Sequence, residues 1–213
     1  RIVDKLENSY YPEHEGLNLM FASREGILKH CSVEDAIKIG HVASRHLPGQ
    51  EKQSFLESQV VDLSDAISYV HSDLEDAFVM RLLTMDKMKE APGFMYAWEK
   101  LNTLKPNVYH MLPTDSMMDG KDRDASRYAE GTVKATIRMM LSKAIGDVSN
   151  NSRERIFDAN IKTHEDARNY HENLIRFTDE HYKMHRELKN FSRTFIYEHP
   201  RIDNVREVQK QIL

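Results

Sequence analysis

The chain is poor in the residues that build turns and crosslinks. It has 8 glycines and 6 prolines in 213 residues, well below the ~12% of average usage, and turn-rich β architectures need both. A single cysteine, Cys31, excludes an internal disulfide framework and fits a reducing compartment. No apolar run approaches the ~18 residues that span a bilayer, so no membrane partner is expected. No signal peptide is expected at its start. Neither sign of charge dominates: 30 basic and 34 acidic residues leave a formal charge of −4. That balance gives no global reason to expect nucleic acid as the main partner. What remains is a charge-rich chain with helical periodicity and almost no strand-like alternation, long enough for one large domain or two small ones. The expected class is all-α.

Arg1 is followed by Ile2, Val3, Asp4 and Lys5, which read as helix interior without a cap, so the chain is expected to open partway through a longer structure. A helix tail over about 2 to 9 breaks at Pro12 and Gly16. Leu17, Met20, Phe21, Ile27 and Leu28 then suggest a helix from about 17 to 30. Ser32 and Asp35 suggest a short helix to about 45. Ser54 and Glu57 have capping-box spacing before a long helix over about 55 to 83. A kinked continuation, MDKMKEA, follows, and Pro92 opens a helix through Trp98 to Leu104. The segment 105–122 reads as a loop and the boundary between domains 1–104 and 105–213. A helix over about 123 to 145 is expected to stop at Gly146. Thr163 and Asp166 offer another capping box. Leu174, Phe177, His181, Met184, Leu188, Phe191 and Phe195 form a heptad-like seam ending at His199-Pro200. A weaker helix over about 201 to 212 closes the chain.

The long helix, VVDLSDAISYVHSDLEDA over residues 60–77, carries the most informative pattern. At about 100° per residue, Val60, Leu63, Val70, Leu74 and Phe78 fall within about 60° of Ile67. Asp62, Asp65, Tyr69, Asp73 and Asp76 share an arc of about 80° on the far side. A solvated acidic face is the plain explanation. Two features weigh against it. No basic residue interleaves with the carboxylates to relieve their repulsion. Aspartate is also a poor helix-interior residue compared with glutamate. A hard divalent cation, which takes short oxygen ligands, is one demand that would place aspartates there.

These residues resemble the last motif of the HD-domain deoxynucleoside triphosphate triphosphohydrolases, the dGTPase-like family. Asp65, Tyr69 and Asp73 match its Asp-x3-Tyr-x3-Asp helix. YPEHEGLNLMFASREGILKH resembles an upstream family segment, and FIYEHPRI resembles the His-Pro segment of the associated helical domain. The likeness is strong over 1–90 and looser over 100–205. It implies the C-terminal part of an HD-domain helical fold plus the associated helical domain. It implies a cytoplasmic enzyme, usually a homo-oligomer, that uses Mg2+ or Mn2+ to cleave a dNTP, dGTP foremost, into deoxynucleoside and triphosphate. Asp65 would be a metal ligand, Tyr69 would line the pocket, Asp73 would accept from the deoxyribose 3′-hydroxyl, and Lys29 would contact the triphosphate. No His-Asp dipeptide occurs in the sequence, so the family's remaining metal ligands are missing, no catalytic residue is assigned, and the chain alone is expected to be inactive. Another HD-type phosphohydrolase and a non-catalytic helical interaction or regulatory module are the alternatives.

Other candidates read more plainly. His181 and His185 have the spacing of paired zinc ligands, but Tyr182 stands where HExxH requires Glu. A core histidine pair is expected. His71 lies between the two faces of the long helix, and His164 and His171 read as surface residues. His199 reads as ordering a helix end. Cys31 reads as a packed thiol. Arg123, Arg127, Lys134 and Arg138 suggest a solvated basic face, with an allosteric nucleotide or single-stranded DNA as the alternative that the resemblance implies.

Overall fold

The computed structural model describes residues 5, 13, 16–30 and 53–204. Among them every regular element is helical: α1 (Phe21–His30), α2 (Leu56–Val79), α3 (Met85–Glu90), α4 (Phe94–Leu104), a 3-10 turn (Asp115–Met118), α5 (Arg123–Asp158), α6 (His164–Asn169), α7 (Asp179–Ser192) and a π-helical turn (Arg193–Tyr197). The all-α expectation therefore holds. Cys31, the expected helices over 2–9 and to about 45, and the chain beyond 204 lie outside the described residues. No described helix is long and apolar enough to cross a membrane.

The chain divides into two compact units, Arg1–Leu63 with Ser152–Arg176, and Ser64–Asn151 with Phe177–Leu213. The first is organised around polar groups. Glu25 is fully buried on α1, and its Oε1 accepts from Lys29 Nζ and Arg168 Nη2, both at 2.8 Å. A buried carboxylate is tolerable only with such partners. Gly26 makes room for α2: a Cβ there would lie 2.4 Å from the Ser58 hydroxyl oxygen. Gln59 staples three backbone groups, donating to Ser54 O at 2.9 Å and accepting from Leu174 N at 2.9 Å and Ile175 N at 3.2 Å. The Thr163–Asp166 capping box forms as expected and starts α6.

The second unit holds the apolar core. Val70, Leu74, Ala77 and Phe78 of α2 join Met85, Phe94, Val133, Ile137, Leu188 and Phe191 in one buried cluster. The expected stripe on α2 is thus buried from Ile67 onward, but at its N-terminal end Val60 is 45% exposed because the cluster begins only at Val70. The segment 105–122, expected as a boundary loop, lies inside this unit. It is tied on both sides, by Met85 N to Asp115 Oδ1 at 2.5 Å, Asn102 Nδ2 to Tyr109 O at 2.7 Å and Ser126 Oγ to Met117 O at 2.8 Å.

Two helix ends differ from the sequence expectation, for one reason. α2 stops at Val79, not 83, because Arg81 adopts φ +55° and closes a Schellman motif, with Leu82 N on Ala77 O at 2.8 Å and Arg81 N on Phe78 O at 3.0 Å. α5 runs through Gly146 and ends at Asp158, where Asn160 at φ +52° closes the same motif, with Ile161 N on Ile156 O at 3.1 Å and Asn160 N on Phe157 O at 3.0 Å. α7 likewise begins only at Asp179, because the Thr178 side chain caps it by accepting from His181 N. Leu174 and Phe177 of the expected seam therefore precede the helix, although both are buried.

His71, His181 and His185 are all buried, as the core reading of the paired histidines expects. Phe177 packs against the rings of His181 and His185, with centroids 5.2 and 5.1 Å away. His71 Nδ1 lies 2.7 Å from Ile67 O. Burial lowers all three pKa values, and His185, also near His71, Lys189 and His181, falls to about 4.

Two predictions follow from these contacts. Gly146 sits mid-helix with open space where a Cβ would go, so Gly146→Ala should stabilise by about 0.5–1 kcal/mol, whereas Asn160→Ala should destabilise by about 1 kcal/mol. Chemical denaturation of the two variants measures both signs. For the histidines, the folded pKa lies below the ordinary 6.5, so the unfolded chain binds more protons. Stability is then fullest above about pH 6.5 and falls as pH drops toward 4. Melting temperatures taken from pH 7 to 5 should decline, and more shallowly in His185→Gln; parallel slopes would mean that His185 takes up no proton on unfolding.

Candidate functional site

The polar face of α2 carries the candidate site. Ile67, Val70, Leu74 and Phe78 are all nearly fully buried, which fixes the helix rotation and leaves the opposite face, with Asp65, Tyr69 and Asp73, away from the core. Steps of four residues stack those three side chains in one line along the helix. Asp65 is exposed and Tyr69 is 62% exposed. Neither has a hydrogen-bond partner among the described residues. All three lie in the second unit, whereas Lys29, on α1, belongs to the first and is paired with buried Glu25.

Asp73 is different. Its Oδ2 accepts a hydrogen bond from the Tyr197 hydroxyl. Tyr197 ends the π-helical turn that follows α7, where Glu198 N reaches back to Arg193 O at 3.0 Å. The next turn is held by His199, whose Nδ1 accepts from Arg201 N at 3.2 Å. His199 therefore orders a helix start, whereas its place in the sequence suggests the ordering of a helix end. Arg201 Nη1 donates to Met80 O at 3.1 Å, just past the end of α2. The FIYEHPRI segment is thus clamped along the last turns of the Asp-x3-Tyr-x3-Asp helix. Partial burial raises the Tyr197 pKa to about 12, and the Asp73 hydrogen bond and charge push the same way. The phenol stays protonated and remains a donor to Asp73.

Sequence reasoning placed Asp73 and FIYEHPRI in the same likeness but missed Tyr197 as its partner. The two residues are 124 apart in the chain, and no periodicity spans that distance. The aromatic before Glu-His-Pro was the one available signal. The basic series on α5 is also not uniform: Lys134 Nζ lies 3.6 Å from Glu75 Oε1 of α2, while Arg123, Arg127 and Arg138 are exposed.

Asp65 supplies a single carboxylate. Among the described residues no group of three His, Cys, Asp or Glu side chains is arranged to hold a metal ion.

No family model matches the chain. Curated relatives do, and over nearly its whole length. It is 31% identical over 202 residues to a deoxyguanosinetriphosphate triphosphohydrolase-like protein of Thiobacillus denitrificans (strain ATCC 25259 / T1), covering 95% of this chain and 48% of the relative. It is 30% identical over 213 residues to the protein of that name in Azoarcus sp. (strain BH72), covering 100% of this chain and 50% of the relative. The likeness to the one in Bordetella pertussis (strain Tohama I / ATCC BAA-589 / NCTC 13251) is 32% over 202 residues, 95% of this chain and 47% of the relative. The chain spans about half the length of these relatives, and on these matches it belongs to the deoxyguanosinetriphosphate triphosphohydrolase-like family.

Proposed function

We propose that the intact protein hydrolyses a deoxynucleoside triphosphate, dGTP foremost, to deoxynucleoside and triphosphate. The observation that carries this reading is the 30% identity over all 213 residues to a deoxyguanosinetriphosphate triphosphohydrolase-like protein. The geometry of α2 supports it, because Asp65, Tyr69 and Asp73 share one open face. Asp65 is one ligand of a divalent metal whose other ligands lie outside the described residues. Tyr69 lines the substrate pocket, and its exposed ring offers a flat wall to a sugar. Lys29 supplies a point charge for the triphosphate, and Glu25 competes for it in this structure.

Asp73 binds the deoxyribose 3′-hydroxyl. Tyr197 occupies Oδ2, which leaves Oδ1 to accept the sugar hydroxyl. The phenol thereby holds the carboxylate in one orientation and acts as a positioning residue.

Three variants of the intact protein test these roles. Asp65→Ala should lower dGTP turnover at least about a hundredfold, with loss of metal affinity by titration calorimetry. Unchanged metal affinity and turnover would remove Asp65 from the site. Asp73→Asn should abolish the preference for dGTP over 2′,3′-dideoxy-GTP, a preference of about 10–100-fold for a hydrogen bond to a charged acceptor. Tyr197→Phe should reduce that preference several-fold while moving stability by no more than about 1 kcal/mol; a preference equal to the parent's would deny Tyr197 its positioning role. The 213-residue chain alone, lacking any His-Asp dipeptide, should release no triphosphate from dGTP with Mg2+ or Mn2+ in a malachite-green assay run with pyrophosphatase, and robust metal-dependent release would refute its dependence on ligands from elsewhere.

A further inference from the structure

The second unit contains a cavity of about 320 Å³ that the reading above does not use. Four helices wall it: α2 through His71, α4, α5 and α7. Close-packed interiors leave few voids larger than a water molecule. This one holds roughly ten water-sized groups and falls within the range of small-molecule pockets.

Its lining combines apolar, aromatic and cationic side chains. The walls are apolar and adaptable, with Met139, Met140, Met184 and Leu188. His185, also in the lining, is 8% exposed and its side chain has no hydrogen-bond partner among the described residues. Its ring adds a polar group to an otherwise apolar lining. Exposed lining residues mark the opening, among them Tyr96, Lys100 and Lys143, with Leu104 and Ser142 beside them. Lys143 Nζ lies 3.8 Å from the Tyr96 ring centroid and Lys100 Nζ 5.7 Å from it. Neither ammonium has a carboxylate partner among the described residues. Asp147, one helical turn beyond Lys143, instead accepts from Thr178 N at 2.9 Å and from Thr178 Oγ1 at 2.8 Å. Two uncompensated cations therefore flank an aromatic face above an apolar chamber.

We propose that this cavity is a binding site for a small amphipathic carboxylate, its apolar chain among the methionines and its head group between Lys100 and Lys143. At about 30 Å³ for each water-sized group, the cavity accommodates a chain of roughly eight to ten carbons. Two separate ammonium groups with no guanidinium fork act as point charges, which hold a carboxylate head without requiring a bidentate geometry. The site is independent of the dNTP reading, since it uses neither Asp65, Tyr69 nor Asp73.

The test is isothermal titration of the intact protein with octanoate and, as the uncharged counterpart, 1-octanol. Octanoate should bind at one saturable site at least about tenfold more tightly than octanol, the increment expected of one charge-assisted contact. Lys100→Met with Lys143→Met, both on the surface, should erase that tenfold preference while leaving octanol binding in place. Met184→Trp, which fills the chamber, should abolish binding of both, with circular dichroism melts confirming the fold. Absence of saturable octanoate binding, equal affinity for octanol, or octanoate binding that survives both variants would each overturn the proposal.

Discussion

In the second unit the packing of one helix determines what the other elements can do. α2 is 24 residues long, and its buried stripe from Ile67 to Phe78 leaves it no rotational freedom. Once that stripe is seated, Asp65, Tyr69 and Asp73 must face the other way, and His71, one residue round from Val70, must enter the packed side. A slip of one residue would turn the whole set by about 100°. The aspartates, poor in helix interiors and mutually repulsive, are held in register by apolar contacts that none of them makes.

Much of this was legible locally. The 3.6-residue period marked both faces of α2, the Thr163–Asp166 capping box started α6, and the core character of His181 and His185 followed from their place among apolar residues. Helix ends were less readable. Gly146 looked like a stop signal, yet glycine mid-helix costs only about 1 kcal/mol, and the helix continues past it. The actual stops are Arg81 and Asn160 in left-handed conformation. Nothing in the residue type singles out Arg81, since that conformation is imposed by the hydrogen bonds around it.

Within the candidate site the division is similar. The Asp-x3-Tyr-x3-Asp spacing is a property of one helix and can be seen in a line of sequence. The Tyr197 contact joins residues 124 apart and depends on a π-helical turn that no composition rule foretells. The same holds in the first unit, where Arg168 reaches Glu25 across 143 residues. Lys29 could be singled out in the sequence, but its pairing with a fully buried carboxylate could not.

The Tyr197–Asp73 contact also has a direction. With its pKa near 12, the phenol does not release its proton in any solution where proteins ordinarily remain folded. The hydrogen bond therefore runs one way only. While Asp73 is ionised, everything else that approaches its carboxylate meets lone pairs. A visiting atom must bring a hydrogen with it, and an ether or carbonyl oxygen of the same size would find only repulsion. The contact thus makes this point on α2 a fixed acceptor, and a fixed acceptor sorts molecules by whether they donate before their shape is tested at all.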